Sequence, residues 1–442
     1  MSQRKNISRR RFVAAAGAAT AFMVVPRHVI GGPGQNPPSQ RLNVAGVGLG
    51  GMGSGDIGQY GGENVVALCD VEQRHLAAAA KRFPNARTWT DFREMFDKQK
   101  DIDTVTVATP DHLHAFVTME ALKRGKNVYC QKPLTHSVYE ARMIANAARE
   151  AKVATQMGNQ GQASEEARIT CELIWAGAIG NVKEVHAWSN RKPDISPRGI
   201  PRPKEVEPVP ESLNWDLWVG PSPMRPYNRC YLPFSWRGWW DFGTGVLGDI
   251  GCHQLSTIFK CLKLKHPSTV EASSTNWQRD EISKETAPLA SIVRYHFEPD
   301  ENHGPFDIIW YDGGMKPPRP EELEPNRRFG VDDGIMYVGD KGKMLEHRLI
   351  PDTRAKEFGK PPVKLERSPG QYREFILACK GGKPAGSNFV DHAAHLAEVV
   401  LLGNVAIRTD KKLYWDPVNL KCANCPEADK YINTPYREGW RL

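Results

Sequence analysis

Four groups of residues in this chain combine residue types and spacings suited to binding an anionic ligand and moving a proton. In residues 42–53, Leu-Asn-Val-Ala-Gly-Val-Gly-Leu-Gly-Gly-Met-Gly, an apolar run passes into a glycine cluster with Gly46, Gly48 and Gly51 in G-x-G-x-x-G spacing. After a strand, the first glycine of such a motif permits the tight turn and the second lets backbone approach a pyrophosphate. The third lets the following helix pack close, so that its N-terminal N–H groups and dipole face the phosphates. Leu49, Gly50 and Met52 share that turn and are expected to contact the same ligand. A second apolar run at 65–69 ends at Asp70, nineteen residues past Gly51. A carboxylate there would accept hydrogen bonds from an adenosine ribose and repel a 2′-phosphate, which favours NAD over NADP. A strand-end aspartate capping a turn would give the same spacing.

The second group is Thr109-Pro110-Asp111-His112-Leu113-His114. Its proline stiffens the turn, so the next polar side chains project from a sheet edge. Thr109, Pro110 and His114 are expected to line the cofactor; His112 and His114 either line the site or cap structure. In the third group, Tyr129-Cys130-Gln131-Lys132-Pro133, the Lys132 ammonium would hydrogen-bond a substrate hydroxyl and stabilise alkoxide charge. A solvated lysine before a proline is the plainer reading. The fourth runs from Trp239 to His253. Asp249 and His253 lie four apart and share a helix face, so the carboxylate would orient the imidazole while the ring takes a hydroxyl proton. Asn159, in Gln156-Met157-Gly158-Asn159-Gln160, is placed to reach the nicotinamide side.

The elements that must position these groups are legible as alternation. Helix patterns occupy 73–83, 91–96, 114–124 and 138–151, and short apolar strands 104–108, 127–130 and 153–157. Repeated strand–helix units of this kind make a doubly wound parallel sheet that binds ligands outside the carboxyl ends of its strands. The domain is expected to span 41–160. Beyond it the grammar changes. A helix at 165–176 leads to a strand at 182–189, then a Pro- and Arg-rich irregular loop at 191–210. Longer alternating strands follow at 290–297, 307–311, 335–338 and 343–346, the last two joined by a Gly-Asp-Lys-Gly turn. A mixed, largely antiparallel sheet with one face covered by helices is expected over 161–390. Residues 391–442 should form a long amphipathic helix (392–408) and a tail packing back on the first domain. His392 and His395 lie three apart on that helix, but no acid or cysteine is spaced to complete a metal site, and none is expected.

At 442 residues, 40% hydrophobic and 25% charged, the chain has the composition of a globular protein with room for two cores. Its formal net charge of +8 is concentrated in the first thirty residues, where Arg4, Lys5, Arg9, Arg10, Arg11 and Arg27 stand without a single acid. The remainder is close to neutral, which removes the case for a nucleic-acid partner. Ser8-Arg9-Arg10-Arg11-Phe12-Val13, followed by a mildly apolar run at 14–25, has the pattern of a twin-arginine export signal (1–30), with a Gly/Pro linker at 31–40. The reading predicts a partner in the twin-arginine export machinery and a periplasmic location. Nine scattered cysteines form no disulfide framework; Cys422 and Cys425 make the one C-x-x-C, incidental or a local disulfide.

Taken together, the glycine motif, Thr109-Pro110-Asp111-His112-Leu113-His114, Lys132-Pro133 and Gly245…Asp249…His253 resemble the Gfo/Idh/MocA oxidoreductases over residues 41 to 440. The resemblance implies an N-terminal Rossmann domain and a C-terminal α/β domain whose open, mostly antiparallel sheet mediates a homodimer or homotetramer. It also implies NAD(P)-dependent chemistry on sugar, inositol or polyol hydroxyls. Lys132 matches the lysine of the family's Glu-Lys-Pro motif, with Gln131 in place of the usual glutamate; Asp249 and His253 match its aspartate and histidine. The tryptophan-rich stretches 215–221 and 234–240 look like those of exported members, where aromatic faces stack on sugar rings. Tyr231, Arg237 and Trp239 are accordingly expected to touch substrate, with Lys132, Asp249 and His253. The expected activity is NAD-dependent oxidation of a secondary hydroxyl of a sugar, glycoside or polyol. Two alternatives remain: glycoside cleavage by transient oxidation on a bound NAD without net redox, and a non-catalytic nucleotide-holding scaffold.

Overall fold

The computed structural model describes residues 40–192, 196–275, 280–330 and 332–442. The twin-arginine segment (1–30) and the linker up to residue 39 lie outside the described residues. Six short strands form the first sheet: β1 (Asn43–Val47), β2 (Asn64–Cys69), β3 (Arg87–Trp89), β4 (Thr104–Val107), β5 (Asn127–Cys130) and β6 (Thr155–Met157). They pair in the order β3-β2-β1-β4-β5-β6 and every pair is parallel. This is the doubly wound order, whose switch point lies between β1 and β4. Helices α1 (Gly51–Ile57), α2 (Gln73–Arg82), α3 (Phe92–Lys98), α4 (Asp111–Lys123) and α5 (Val138–Ala151) make the connections.

Local chemistry sets several boundaries. Ser137 and Glu140 close a capping box at the start of α5, each side chain bonded to the other's backbone N–H. Asp91 caps α3 through the N–H of Arg93. Helix α4 begins at Asp111, three residues before the expected start, because Pro110 sits in its N-cap and the helix is buried nearly all round. With no polar face, its periodicity carries little signal.

The second sheet has nine strands: β7 (Val182–Trp188), β8 (Thr269–Ser274), β9 (Ser291–Phe297), β10 (Phe306–Tyr311), β11 (Gly334–Gly339), β12 (Lys343–Leu345), β13 (Arg348–Ile350), β14 (Leu413–Asp416) and β15 (Lys421–Cys422). Their order is β13-β12-β11-β7-β10-β9-β8-β14-β15, antiparallel except for β7 against β10. The alternation read from 290–297 is the physical one: Val293, Tyr295 and Phe297 are buried while Arg294 is exposed. Helices α6 (Glu165–Trp175), α7 (Gly245–Gln254), α8 (Ser256–Leu262) and α9 (Ala394–Thr409) pack on the sheet and on each other.

Helix α9 corrects one expectation. It is not amphipathic but buried on nearly every face, from Leu396 to Ala406. Together with the turn that leads into it, from Phe389 to Thr409, it is apolar and long enough to cross a membrane, yet it is the core helix that contacts α5 of the first sheet and α7 and β8 of the second. Arg142 of α5 fixes it by a forked bond to Glu398. The tail does pack back, through Tyr436 and Trp440 on Phe116, but it also lends β14 and β15 to the second sheet. All nine cysteines are free thiols.

Candidate active site

A cleft of ≈ 890 Å³ opens at the carboxyl edge of the first sheet and brings together residues from almost the whole chain. At one end lies the glycine turn. Gly48 adopts φ +81° directly after β1 and donates its N–H to the carbonyl of Cys69 (2.9 Å), and Gly51 adopts φ +47°. The expected register needs correction. Gly46 is inside β1, packed on Leu49 and Ile57, and does not line the cleft. A Cβ on Gly51 would meet nothing, whereas one on Gly53 would stand 1.9 Å from the Gly48 carbonyl oxygen. The working triplet is therefore Gly48, Gly50 and Gly53, two residues later, because the strand does not end until Val47. Gly53→Ala is expected to displace the turn, cost about 1–3 kcal/mol of stability and strip bound nucleotide. The control Gly55→Ala, where a Cβ meets open space, should leave both intact. Nucleotide released on denaturation and thermal melting check both.

Gly48, Gly50, Gly51 and Met52 line the cleft, as do Thr109 and Pro110; Leu49 does not. Leu49 instead donates its backbone N–H to Asp70 Oδ2 (2.6 Å), while Asp70 Oδ1 accepts from Glu72 N (2.8 Å). The Asp70 carboxylate thus braces the glycine turn and, lining the cleft with lone pairs to spare, can still accept from a ribose. Thr109 Oγ1 is buried without a partner among the described residues. A positive-φ glycine cradle, exposed helix-start N–H groups, a carboxylate at the end of β2 and an orphaned hydroxyl at the switch point fit a dinucleotide.

The other end of the cleft is a charge cluster. Lys132, following β5, donates from Nζ to the carbonyl of Asp249 (2.7 Å) and to its Oδ1 (2.5 Å). Arg237 Nε reaches the same Oδ1 (3.3 Å), and Arg191 Nη2 lies 2.9 Å from Oδ2. Burial opposes ionisation of Asp249, but Lys132, Arg237 and Arg191 outweigh it and hold the carboxyl well below its ordinary range. His253 lines the cleft one turn along α7. Burial and the nearby Lys132 pull its pKa down to about 3, with Asp249 acting in the opposite sense. The expected Asp249–His253 bond is not formed: the carboxylate is taken by the three cations. Gln131 turns away from Lys132 and donates to Asp56 Oδ2 (2.8 Å), so Asp249, not position 131, orients the lysine.

Several other expectations are redirected. Trp239 and Tyr231 are fully buried in an aromatic core with Trp215, Trp218 and Phe242, and neither lines the cleft. A flat apolar ring surrounded by others gains more from burial than it could from one exposed sugar face. Trp236 and Phe234 do line it, but they clamp the Arg237 guanidinium, 4.1 and 3.5 Å from their ring centroids. Asn159 is buried off the cleft, its Nδ2 donating to Ser256 Oγ (3.0 Å). His114 touches the cleft but lies between the carbonyls of Pro133 (2.7 Å) and Thr109 (2.8 Å), pinning one site loop to the other. His112 does the same between Phe242 and Trp218. His392 bonds Ser256 Oγ and His395 the Lys265 carbonyl.

Two site residues had not been singled out. Arg191 follows β7, and the strand-end logic that found Lys132 would have found it had the loop not read as irregular. Asp111 is buried at the cleft, and its Oδ2 accepts from Thr244 Oγ1 (2.7 Å), tying the start of α4 to the cap of α7. Burial pushes Asp111 up to about 7 from 3.8, against the bond from Thr244 and the charges of Arg237 and Lys132. A carboxyl raised in the fold stabilises it below the ordinary pKa, and that contribution is lost as pH climbs from about 4 to about 7. Asp111→Asn should therefore flatten the dependence of Tm on pH across that window, a result melting curves would test.

A parallel sheet in doubly wound order with a glycine turn at its switch point, facing a lysine–aspartate pair and a histidine borne by a second sheet's helix, defines a two-part dinucleotide-dependent architecture. Residues 42–159 match the model of an oxidoreductase family with an NAD-binding Rossmann fold, and residues 201–287 match that family's C-terminal α/β domain. Both matched segments are those of the Gfo/Idh/MocA oxidoreductase family. An inositol 2-dehydrogenase of Rubrobacter xylanophilus is 30% identical over 164 residues, 36% of this chain and 46% of that protein. A levoglucosan dehydrogenase of Pseudarthrobacter phenanthrenivorans is 27% identical over 226 residues, 48% of this chain and 49% of that protein. The chain thus matches about half the length of these curated relatives. The solved WlbA dehydrogenase of Bordetella pertussis, in complex with NADH and UDP-GlcNAcA, shares the fold with a TM-score of 0.58 at 17% identity, covering 85% of this chain and 99% of that one.

Proposed function

We propose that the chain is an NAD-dependent oxidoreductase acting on a secondary hydroxyl of a sugar, glycoside or polyol. The observation that carries this reading is that Lys132, bonded to Asp249, and His253 line the same cleft as the glycine turn. Gly48, Gly50, Gly51, Met52, Asp70 and Thr109 would hold the dinucleotide, whose nicotinamide supplies a hydride acceptor. His253, neutral across the physiological range, offers a ring nitrogen to the hydroxyl proton. Lys132, held by two bonds to Asp249, keeps a third N–H for the substrate oxygen and stabilises the charge left as the proton departs. Asp249 is thus a positioning residue for the lysine. The names of the two relatives, one for a polyol and one for an anhydrosugar, support the substrate class.

The test is a panel of sugars, polyols and glycosides with purified protein and NAD, following both reduced-nicotinamide absorbance and release of free sugar. Oxidation with rising absorbance is expected. Glycoside cleavage at constant absorbance would instead establish transient oxidation, and neither signal would leave the scaffold reading, which Lys132→Ala with unaltered function would confirm. The arginine pattern at 8–13 supports export by the twin-arginine route, which fractionation of cells expressing the Arg9→Lys, Arg10→Lys double variant would test. The sheet face that carries Arg294 and His296, opposite the helix-packed one, supports a homodimer or homotetramer, to be checked by light scattering.

A further inference from the structure

The charge balance at the substrate end of the cleft is uneven. Among the described residues, Lys132, Arg191 and Arg237 converge on one carboxylate, that of Asp249. The other acid nearby, Asp111, is buried and already occupied by Thr244. Arginines elsewhere around the cleft have carboxylates of their own. Arg74 pairs with Glu72 and Arg229 with Glu207. Placing an unmatched cation where water is scarce costs free energy unless a counter-charge arrives with the ligand.

Resting on the reading that this cleft oxidises a sugar or polyol hydroxyl, we infer that the natural substrate is an acidic sugar, whose carboxylate or phosphate group is received by Arg191 and Arg237. Arg237 is built for such a group. Its guanidinium lies against the rings of Phe234 and Trp236 and donates from Nη1 to the Phe234 carbonyl (3.2 Å), so the planar fork is preorganised and loses little freedom on binding. Arg191 Nη2 makes an ion pair with Asp249 Oδ2 at 2.9 Å without a hydrogen bond, and its Nε is buried without a hydrogen-bond partner among the described residues. The phosphates of a dinucleotide would not account for the surplus, because the glycine turn at the far end of the cleft would meet them with backbone N–H groups. An oxidised nicotinamide is itself cationic and would enlarge the imbalance. The remaining Lys132 is then free to serve the reacting oxygen alone.

The experiment compares D-glucose with D-glucuronate, D-gluconate and D-glucose 6-phosphate on the NAD-loaded full-length protein. It measures kcat/KM by reduced-nicotinamide absorbance and, separately, Kd by calorimetry at low and high salt. At least one acidic sugar is expected to exceed glucose by about tenfold or more, as a charge-assisted bond implies, and to bind more weakly as salt rises. The carboxylate and phosphate arms identify which anion is received. Arg191→Gln should reduce the acid-to-neutral ratio by about tenfold, and Arg191→Lys, which keeps the charge but not the fork, should retain part of it. Glucose used as well as every acid would overturn the inference and leave the proposed function standing, the cations then serving only to stabilise an alkoxide. An unchanged ratio in Arg191→Gln would overturn it too. If a neutral member of the wider panel of sugars, polyols and glycosides is oxidised where these acids are not, the inference alone fails; if the whole panel is inert, the proposed function fails and the inference with it.

Discussion

Asp249→Asn is expected to lower kcat/KM on the order of 10³-fold and to cost about 3–5 kcal/mol of stability. The carboxylate is nearly inaccessible and faces Lys132, Arg191 and Arg237. Removing its charge leaves three cations pressed together with no counter-ion, and the lysine loses the bond that aims it. Because the folded-state pKa of Asp249 is held far below the ordinary carboxylate value, the parent enjoys this stabilisation throughout the neutral range. The parent gives it up only as pH falls through the carboxylate range and below. The gap between parent and variant should therefore narrow in acid. Denaturant titration at several pH values reads the stability, and initial rates read the turnover. Nucleotide binding should match the parent's, since the glycine turn is untouched; its loss would mean the cluster holds the whole cleft together.

His253→Ala is the second large effect. General base catalysis is worth on the order of 10²–10⁴-fold, and the loss should fall on kcat with bound NAD retained. The pH profile carries a further signature. With its folded pKa lowered to about 3, the ring is already neutral at pH 5 and stays so upward. The parent's kcat/KM should consequently show no acid limb near the ordinary histidine pKa of 6.5. Small exogenous amines that restore part of the rate in His253→Ala would mark a missing proton acceptor rather than a collapsed helix. A variant with parental kcat would remove His253 from the chemistry.

The contrast between Lys132 and Trp239 shows how far the chain's own order could be read. Lys132 was legible because β5 and the capped helix α5 are local features. An apolar run, a proline and a Ser-x-x-Glu box set where the sheet edge falls, and a polar residue at that edge faces the ligand. Trp239 was misplaced because its type fits two roles, and only the neighbouring Trp215, Trp218, Tyr231 and Phe242 decide that burial wins. The glycine register failed for a related reason. Two overlapping triplets match the same spacing, and the selection between them depends on which glycine must admit the Gly48 carbonyl.

The amino-acid order by itself determined the doubly wound sheet, the second mixed sheet, the positions of Lys132, Asp249 and His253, and the acid at the end of β2. These follow from periodicity, turn chemistry and strand ends, which neighbours along the chain dictate. Only the tertiary structure decided that Asp249 serves Lys132, that Arg191 joins them, that Gln131 belongs to Asp56 and that α9 is core. Each of these is a choice of partner across long stretches of sequence, 117 positions for Lys132 and Asp249. Such choices are made by whichever packing leaves the fewest buried charges unmatched, a property of the assembled molecule and not of any segment.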